Sequence, residues 1–149
     1  MSAGAIASSS ARSLLWAASS ILAAACSRTP RADNVALAYL SQAPPDSAFR
    51  AHGELPSPIG GVIAVSDSIG EIEQQIVLLR VSDGRRSPIV RIREADPYSG
   101  VSHRYAWTLD GAALLIVGSG ALPGQQSRTL CMVYRVEQDD LIEPSSCPP

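Results

Sequence analysis

Lysine is missing from this sequence: all twelve basic residues are arginine, and fourteen acidic residues give a formal net charge of −2. A nucleic-acid-binding protein normally carries a clear excess of positive charge, so the charge balance argues against that class. Aromatic residues make up only 5% of the chain, which leaves the core to Val, Ile, Leu and Ala. The length of 149 residues is enough for one small domain with its own core.

The sequence also lacks the common motifs of catalysis and metal binding. It has no G-x-S-x-G nucleophile elbow, and its two histidines and three cysteines form no C-x-x-C or H-x-x-x-H pair. The glycine-rich stretch from Val117 to Gly124 follows an apolar run, but its spacing is G-x-G-x-x-x-G and too few residues follow it for a dinucleotide-binding crossover. We therefore expect no cofactor, no metal site and no catalytic residue.

The first 25 residues have the layout of a secretory signal peptide. Arg12 precedes an uncharged run, Ser13 to Ala25, that ends in small residues. This run is too short to span a bilayer, which takes about 20 apolar residues. The alternative is a buried N-terminal helix of a cytosolic domain, but the run lacks the alternating faces of such a helix.

The exit of this segment, Leu22-Ala-Ala-Ala-Cys26, resembles the lipobox of bacterial lipoproteins. The resemblance implies that Cys26 becomes the mature N-terminus and carries acyl chains that anchor the protein in a membrane. Ser27 is not the Asp associated with inner-membrane retention, which favours the periplasmic face of the outer membrane. Ordinary cleavage after Ala23-Ala24-Ala25 is the alternative and would leave Cys26 unacylated.

Composition divides the rest of the chain into a tether and a β domain. Residues 26–58 are rich in proline and small polar residues, which predicts a flexible tether. One short helix is predicted there over Val35–Leu40, with Asp33 as N-cap and Pro44 as its end. From residue 59 to residue 149, short β-branched runs alternate with turn residues, and Asp83-Gly84 and Asp110-Gly111 are hairpin signals. We predict an all-β, antiparallel domain.

The β domain contains an internal repeat of 50-odd residues. Val62–Ser66 aligns with Leu114–Gly118, Ile76–Val81 aligns with Cys131–Val136, and Ile89-Val90 aligns with Leu141-Ile142. Repeats of this length are typical of propeller blades. Trp107-Thr-Leu-Asp-Gly111 before an apolar run also resembles the blade opening of TolB-like β-propellers. The resemblance implies about two blade-like sheets, packed together because one sheet cannot bury both faces of these strands; chance similarity between short strands is the alternative.

Two sets of residues form a candidate binding face. His103, Tyr105 and Trp107 alternate, so they lie on one face of a strand, where aromatic rings either bind a ligand or fill the core. Arg91 and Arg93 alternate with Val90 and Ile92, which gives a charged face for an anionic polymer or lipid phosphate. The alternative for these arginines is protection of the sheet from unwanted pairing.

The three cysteines are an odd number, which needs explanation in an exported protein. Acylation of Cys26 leaves Cys131 and Cys147 to form a disulfide that holds the C-terminal tail, while two free thiols are the alternative.

Taken together, the sequence predicts a non-catalytic binding or scaffolding lipoprotein of the cell envelope. Its expected partners are the membrane and either another envelope protein or an anionic polymer. The other hypothesis is a periplasmic enzyme or enzyme inhibitor that acts through His103, Tyr105 and Trp107.

Overall fold

The computed structural model describes residues 30–94 and 103–148. One α-helix, α1 (Pro30–Leu40), and a single 3-10 turn (Asp46–Ala48) come first. Eight strands follow: β1 (Gly53–Pro56), β2 (Val62–Ser68), β3 (Glu73–Arg80), β4 (Arg86–Arg93), β5 (His103–Trp107), β6 (Ala113–Gly120), β7 (Arg128–Arg135) and β8 (Asp140–Ile142). The prediction of a small, all-β antiparallel domain is confirmed.

The strands form two four-stranded antiparallel sheets, each in the order of the chain: β1-β2-β3-β4 and β5-β6-β7-β8. This is the strand order that two blade-like units require. The aligned segments of the repeat occupy equivalent strands, because β2 matches β6, β3 matches β7 and β4 matches β8. Gly84 and Gly111 have φ angles of 68° and 70° in their hairpins, a conformation that glycine adopts without steric penalty.

The two sheets pack face to face around one apolar core. Ala64, Ile76 and Ile92 of the first sheet contribute to the same buried cluster as Leu114 and Met132 of the second. Backbone pairs between Arg50 and Tyr105 and between Arg93 and Ala121 join the sheets at two edges. On its other face the second sheet buries Leu115 and Val133 against Ala36 of α1. The layers are therefore first sheet, second sheet and helix.

The stretch for which we predicted a tether contains folded elements. α1 begins at Pro30, and β1 pairs with β2 before residue 59, the predicted start of the β domain. Asp33 is not the N-cap: it lies inside α1, where its carboxylate accepts hydrogen bonds from the N–H (2.9 Å) and hydroxyl (2.6 Å) of Ser145 in the C-terminal tail. Docking on the second sheet supplies the stability that an isolated helix of this length lacks.

Candidate functional site

The aromatic strand does not form an exposed binding face. The side chains of His103 and Tyr105 are fully buried, and that of Trp107 is 5% exposed. Tyr105 Oη donates a hydrogen bond to the carbonyl of Gly53 (2.6 Å), and Trp107 Nε1 donates one to the carbonyl of Leu55 (2.8 Å). The prediction that these three residues share an exposed binding face is therefore wrong, because a chain with so few aromatics uses them to fill its core. Trp107, unlike His103 and Tyr105, also lines a surface cavity that is described below. The enzyme or inhibitor hypothesis stays a prediction, but His103 and Tyr105 offer it no exposed side chain.

His103 is a neutral residue of the core. Neither ring nitrogen has a hydrogen-bond partner among the described residues. Burial, together with the charge of His52, lowers the pKa of His103 to about 4. An enclosed, neutral imidazole of this kind has no path to a substrate in solvent.

Arg91 and Arg93 lie exposed on the outer face of the first sheet, opposite Gln75 and Glu73 of β3. The centre of this face is apolar, with Val65 and Val77 only 7% and 5% exposed.

An ion pair between side chains of the sheet crosses the same face. Arg86 Nη2 of β4 lies 2.6 Å from Asp67 Oδ2 of β2. Asp67 is paired with Gln75 of β3 and Arg86 with Leu79 of β3, and Val77 lies midway between these two β3 residues. The ion pair therefore spans β3 at Val77. The face is therefore largely closed by its own side chains, which favours a protective role for its arginines over a ligand site.

Sequence reasoning missed a cluster of exposed aliphatic residues at one end of the molecule. Ile59, Val81 and Leu109 are 71%, 60% and 70% exposed, the highest values among the large apolar side chains of the described residues. They occupy the β1–β2, β3–β4 and β5–β6 hairpins. Antiparallel pairing places the first two hairpins at the same end of the first sheet, and the close approach of Ile59 to Gly111 places the β5–β6 hairpin of the second sheet beside them. We call this region the apolar end.

The β1–β2 hairpin of the apolar end contacts each of the other two hairpins. A Cβ atom on Gly111 would lie 3.0 Å from Ile59 Cγ1, so the Ile59 side chain rests on the turn that contains Leu109. The N–H of Val81 donates to the carbonyl of Gly61, two residues after Ile59. A signal was present in the sequence, since Ile59 and Leu109 are aliphatic residues inside turns, where they have no place in a strand pattern.

A cavity of about 250 Å³ opens at the same end. It is lined by Pro44, Ala48, Leu55, Pro56, Pro58, Trp107, Thr108 and Leu109. No charged side chain lines it, and three prolines contribute no N–H donor. The Thr108 hydroxyl is engaged by Asp110 (2.6 Å) and by the N–H of Ala113 (3.1 Å). The cavity therefore offers its occupant apolar contacts rather than hydrogen bonds.

The cysteines lie apart from this site. Cys131 and Cys147 form a disulfide with Cα atoms 5.6 Å apart, the pairing that the cysteine count predicts. Cys26 and the whole predicted signal peptide lie outside the described residues.

No group of three or more metal-ligating side chains occurs in residues 30–94 and 103–148. Among the same residues, no helix has the length and hydropathy needed to cross a membrane. Comparisons with protein-family models, curated proteins and solved structures found no match for the chain.

Proposed function

We propose that this protein is a lipid-anchored, non-catalytic binding module of the cell envelope, and that its binding surface is the apolar end. The observation that carries this proposal is the joint presence, at one end, of three aliphatic side chains at least 60% exposed and an uncharged cavity. Contiguous exposed apolar surface is costly in solution and marks an interaction site in soluble domains.

The proposed anchor is Cys26, on the periplasmic face of the outer membrane. The sequence Leu22-Ala-Ala-Ala-Cys26 supports acylation, and the Cys131–Cys147 disulfide is consistent with an oxidising compartment. Because α1 begins at Pro30, the folded domain starts only four residues after the proposed acylated cysteine.

The chemistry of the apolar end favours an apolar partner over an anionic polymer. Its cavity has no arginine in its lining, whereas Arg86, on the arginine-bearing outer face, is already paired with Asp67. A polyanion would need cations at its binding site, and the cavity of the apolar end has none in its lining.

Fractionation of cells that produce Cys26→Ser tests the anchor. We expect the wild-type processed chain in the membrane fraction and the variant in the soluble periplasmic fraction or as an uncut precursor. A processed Cys26→Ser chain that still sediments with membranes would contradict the anchor.

A photocrosslinking residue tests the binding surface in living cells. Placed at position 109 of the apolar end, it should give adducts with an envelope component. Placed at position 72, where Ile72 is 36% exposed in the β2–β3 turn at the opposite end, it should give none. Equal labelling from both positions, or none from position 109, would refute the assignment of the binding surface.

A further inference from the structure

We infer that the apolar end contacts a lipid bilayer, with Ile59, Val81 and Leu109 entering the boundary between headgroups and acyl chains. The inference rests on the proposed function, because the anchor at Cys26 is what keeps the domain beside a bilayer. It assigns the binding surface to lipid rather than to a protein partner.

The residue types of the apolar end fit a bilayer better than a protein interface. The anchor residues of protein interfaces are chiefly Trp, Tyr and Arg, whereas Leu and Val are under-represented among them. Here the exposed residues are Ile59, Val81 and Leu109, on three separate hairpins. Aliphatic side chains at protruding turns need no hydrogen-bond partner, and hydrocarbon supplies none. The donor-poor cavity between the hairpins has the same property.

The charges around these hairpins do not create a basic surface. Asp83 Oδ1 accepts a hydrogen bond from the N–H of Arg85 (3.0 Å), and Asp110 Oδ1 accepts one from the N–H of Ala112 (3.0 Å). Arg80, Arg85 and Arg86 lie in or beside the β3–β4 hairpin. Their charge is offset by Asp83 and Asp110 and by Asp67, which pairs with Arg86. We therefore expect the contact to depend on apolar burial and to occur on a zwitterionic membrane as well as on an anionic one.

The proposed anchor leaves the same bilayer within reach. The four-residue span from Cys26 to Pro30 covers at most about 14 Å, and the 11 residues of α1 extend for about 16 Å. After α1 the chain leads directly to Pro44 and Ala48 in the cavity wall. The short span therefore keeps the folded domain beside the bilayer that holds the acyl chains of Cys26.

Trp107 provides a reporter at the site. The chain contains two tryptophans, and Trp16 lies in the predicted signal peptide, so Trp107 is the single tryptophan of the mature protein. The processed protein is purified from membranes and reconstituted in phosphatidylcholine vesicles, with and without bromine on the acyl chains near the headgroups. Because Trp107 lines the cavity, we expect its emission to be quenched in the brominated vesicles. Ile59→Ser/Leu109→Ser should lose this quenching. Ile69→Ser/Ile72→Ser, a matched pair at the opposite end, should keep it.

Equal Trp107 emission in brominated and plain vesicles would overturn the inference, as would crosslinks from position 109 to protein alone.

Failure of the anchor is a separate result, because an unacylated protein does not stay with the vesicles after reconstitution. Such a protein is then mixed with the same vesicles at high lipid concentration. There, Ile59→Ser/Leu109→Ser should partition about tenfold less than wild type or weaker still, since it removes most of the exposed apolar surface. Equal partitioning of this variant, the opposite-end pair and the wild type would overturn the inference in that case as well.

Discussion

His103 sits in the core with a pKa lowered to about 4, chiefly by burial and secondarily by the charge of His52. In the unfolded chain the pKa is close to 6.5. Between these values the unfolded state binds a proton that the folded state does not. The free energy of unfolding therefore decreases as the pH falls from 6.5 to 4, by up to about 1.4 kcal/mol per pH unit.

Substitution of His103 by Phe should remove this dependence, because an apolar ring replaces the titrating one within the core. Denaturant unfolding at a series of pH values from 4 to 7 measures the effect. The exposed His52 is the control, and His52→Ala should retain most of the slope. The same slope in wild type and His103→Phe would show that other groups cause it.

Gly111 is constrained twice, by its conformation and by its neighbour. Its φ is +70°, and a Cβ would lie 3.0 Å from Ile59 Cγ1 and 3.1 Å from Ser57 Oγ. Gly84 has a similar φ of +68° but no atom within 4 Å of its Cβ position. Left-handed backbone costs a non-glycine residue about 1–2 kcal/mol. We expect Gly84→Ala to lower the free energy of unfolding by about that amount and Gly111→Ala to lower it further. Equal losses in urea denaturation would mean that Ile59 does not rest on this turn.

At the scale of the element, the first sheet protects its outer face with the Arg86–Asp67 pair. An exposed ion pair contributes only about 0–1 kcal/mol to stability. The strand register places Arg86 and Asp67 on either side of Val77, so we expect the apolar part of the Arg86 side chain to contribute more by shielding Val77 from solvent. We therefore expect Arg86→Ala to lower the free energy of unfolding by less than about 1 kcal/mol and to increase both dye binding and self-association.

Arg91→Ala is the matched control for this prediction. Arg91 lies on the same face of β4 and has no ion-pair partner among the residues described. Its removal should change neither dye binding nor the association state measured by sedimentation. If both variants self-associate equally, general loss of positive charge rather than the exposure of Val77 is responsible.

Local chemistry explains which elements could be predicted from sequence. Turn and strand preferences predict the hairpins at Asp83-Gly84 and Asp110-Gly111 and the β-branched strands. The order of the strands within the two repeats was therefore predicted correctly. β1 was missed because its four residues end in Pro56, and its stability comes from pairing with β2 and from the carbonyl bonds to Tyr105 and Trp107. No local preference encodes such contacts.

The candidate site could not be predicted for a related reason. Ile59 and Leu109 are 50 positions apart, and only the packing of the two sheets brings their turns together. The alternation of His103, Tyr105 and Trp107 did identify one face of one strand. It could not indicate whether that face meets solvent or the first sheet, because alternation is the same in both cases.

At the scale of the whole molecule, the two ends of the described chain are held together beside the second sheet. The hydrogen bonds from Ser145 lower the pKa of Asp33 and connect the first turns of α1 to the tail. α1 also packs on Leu115 of β6 and on Val133 of β7, the strand that carries Cys131 of the disulfide. The helix that follows the proposed anchor is thus fixed to the β domain, so a pull on the anchor is transmitted to the sheets.

We expect the disulfide to determine how strongly the C-terminal tail is held against α1. Cys131 and Cys147 are 16 positions apart, and closing a loop of about that length stabilises the folded state by about 3 kcal/mol in the chain-entropy model. Cys131→Ala/Cys147→Ala should lose about that free energy of unfolding and should free the tail, so that Ser145 no longer restrains Asp33. Amide hydrogen exchange in α1 should then increase more than exchange in β2 and β3. Addition of a reductant should weaken the wild type to a similar extent and leave the variant unchanged. A wild type that is insensitive to reductant would show that the tail is held by its other contacts alone.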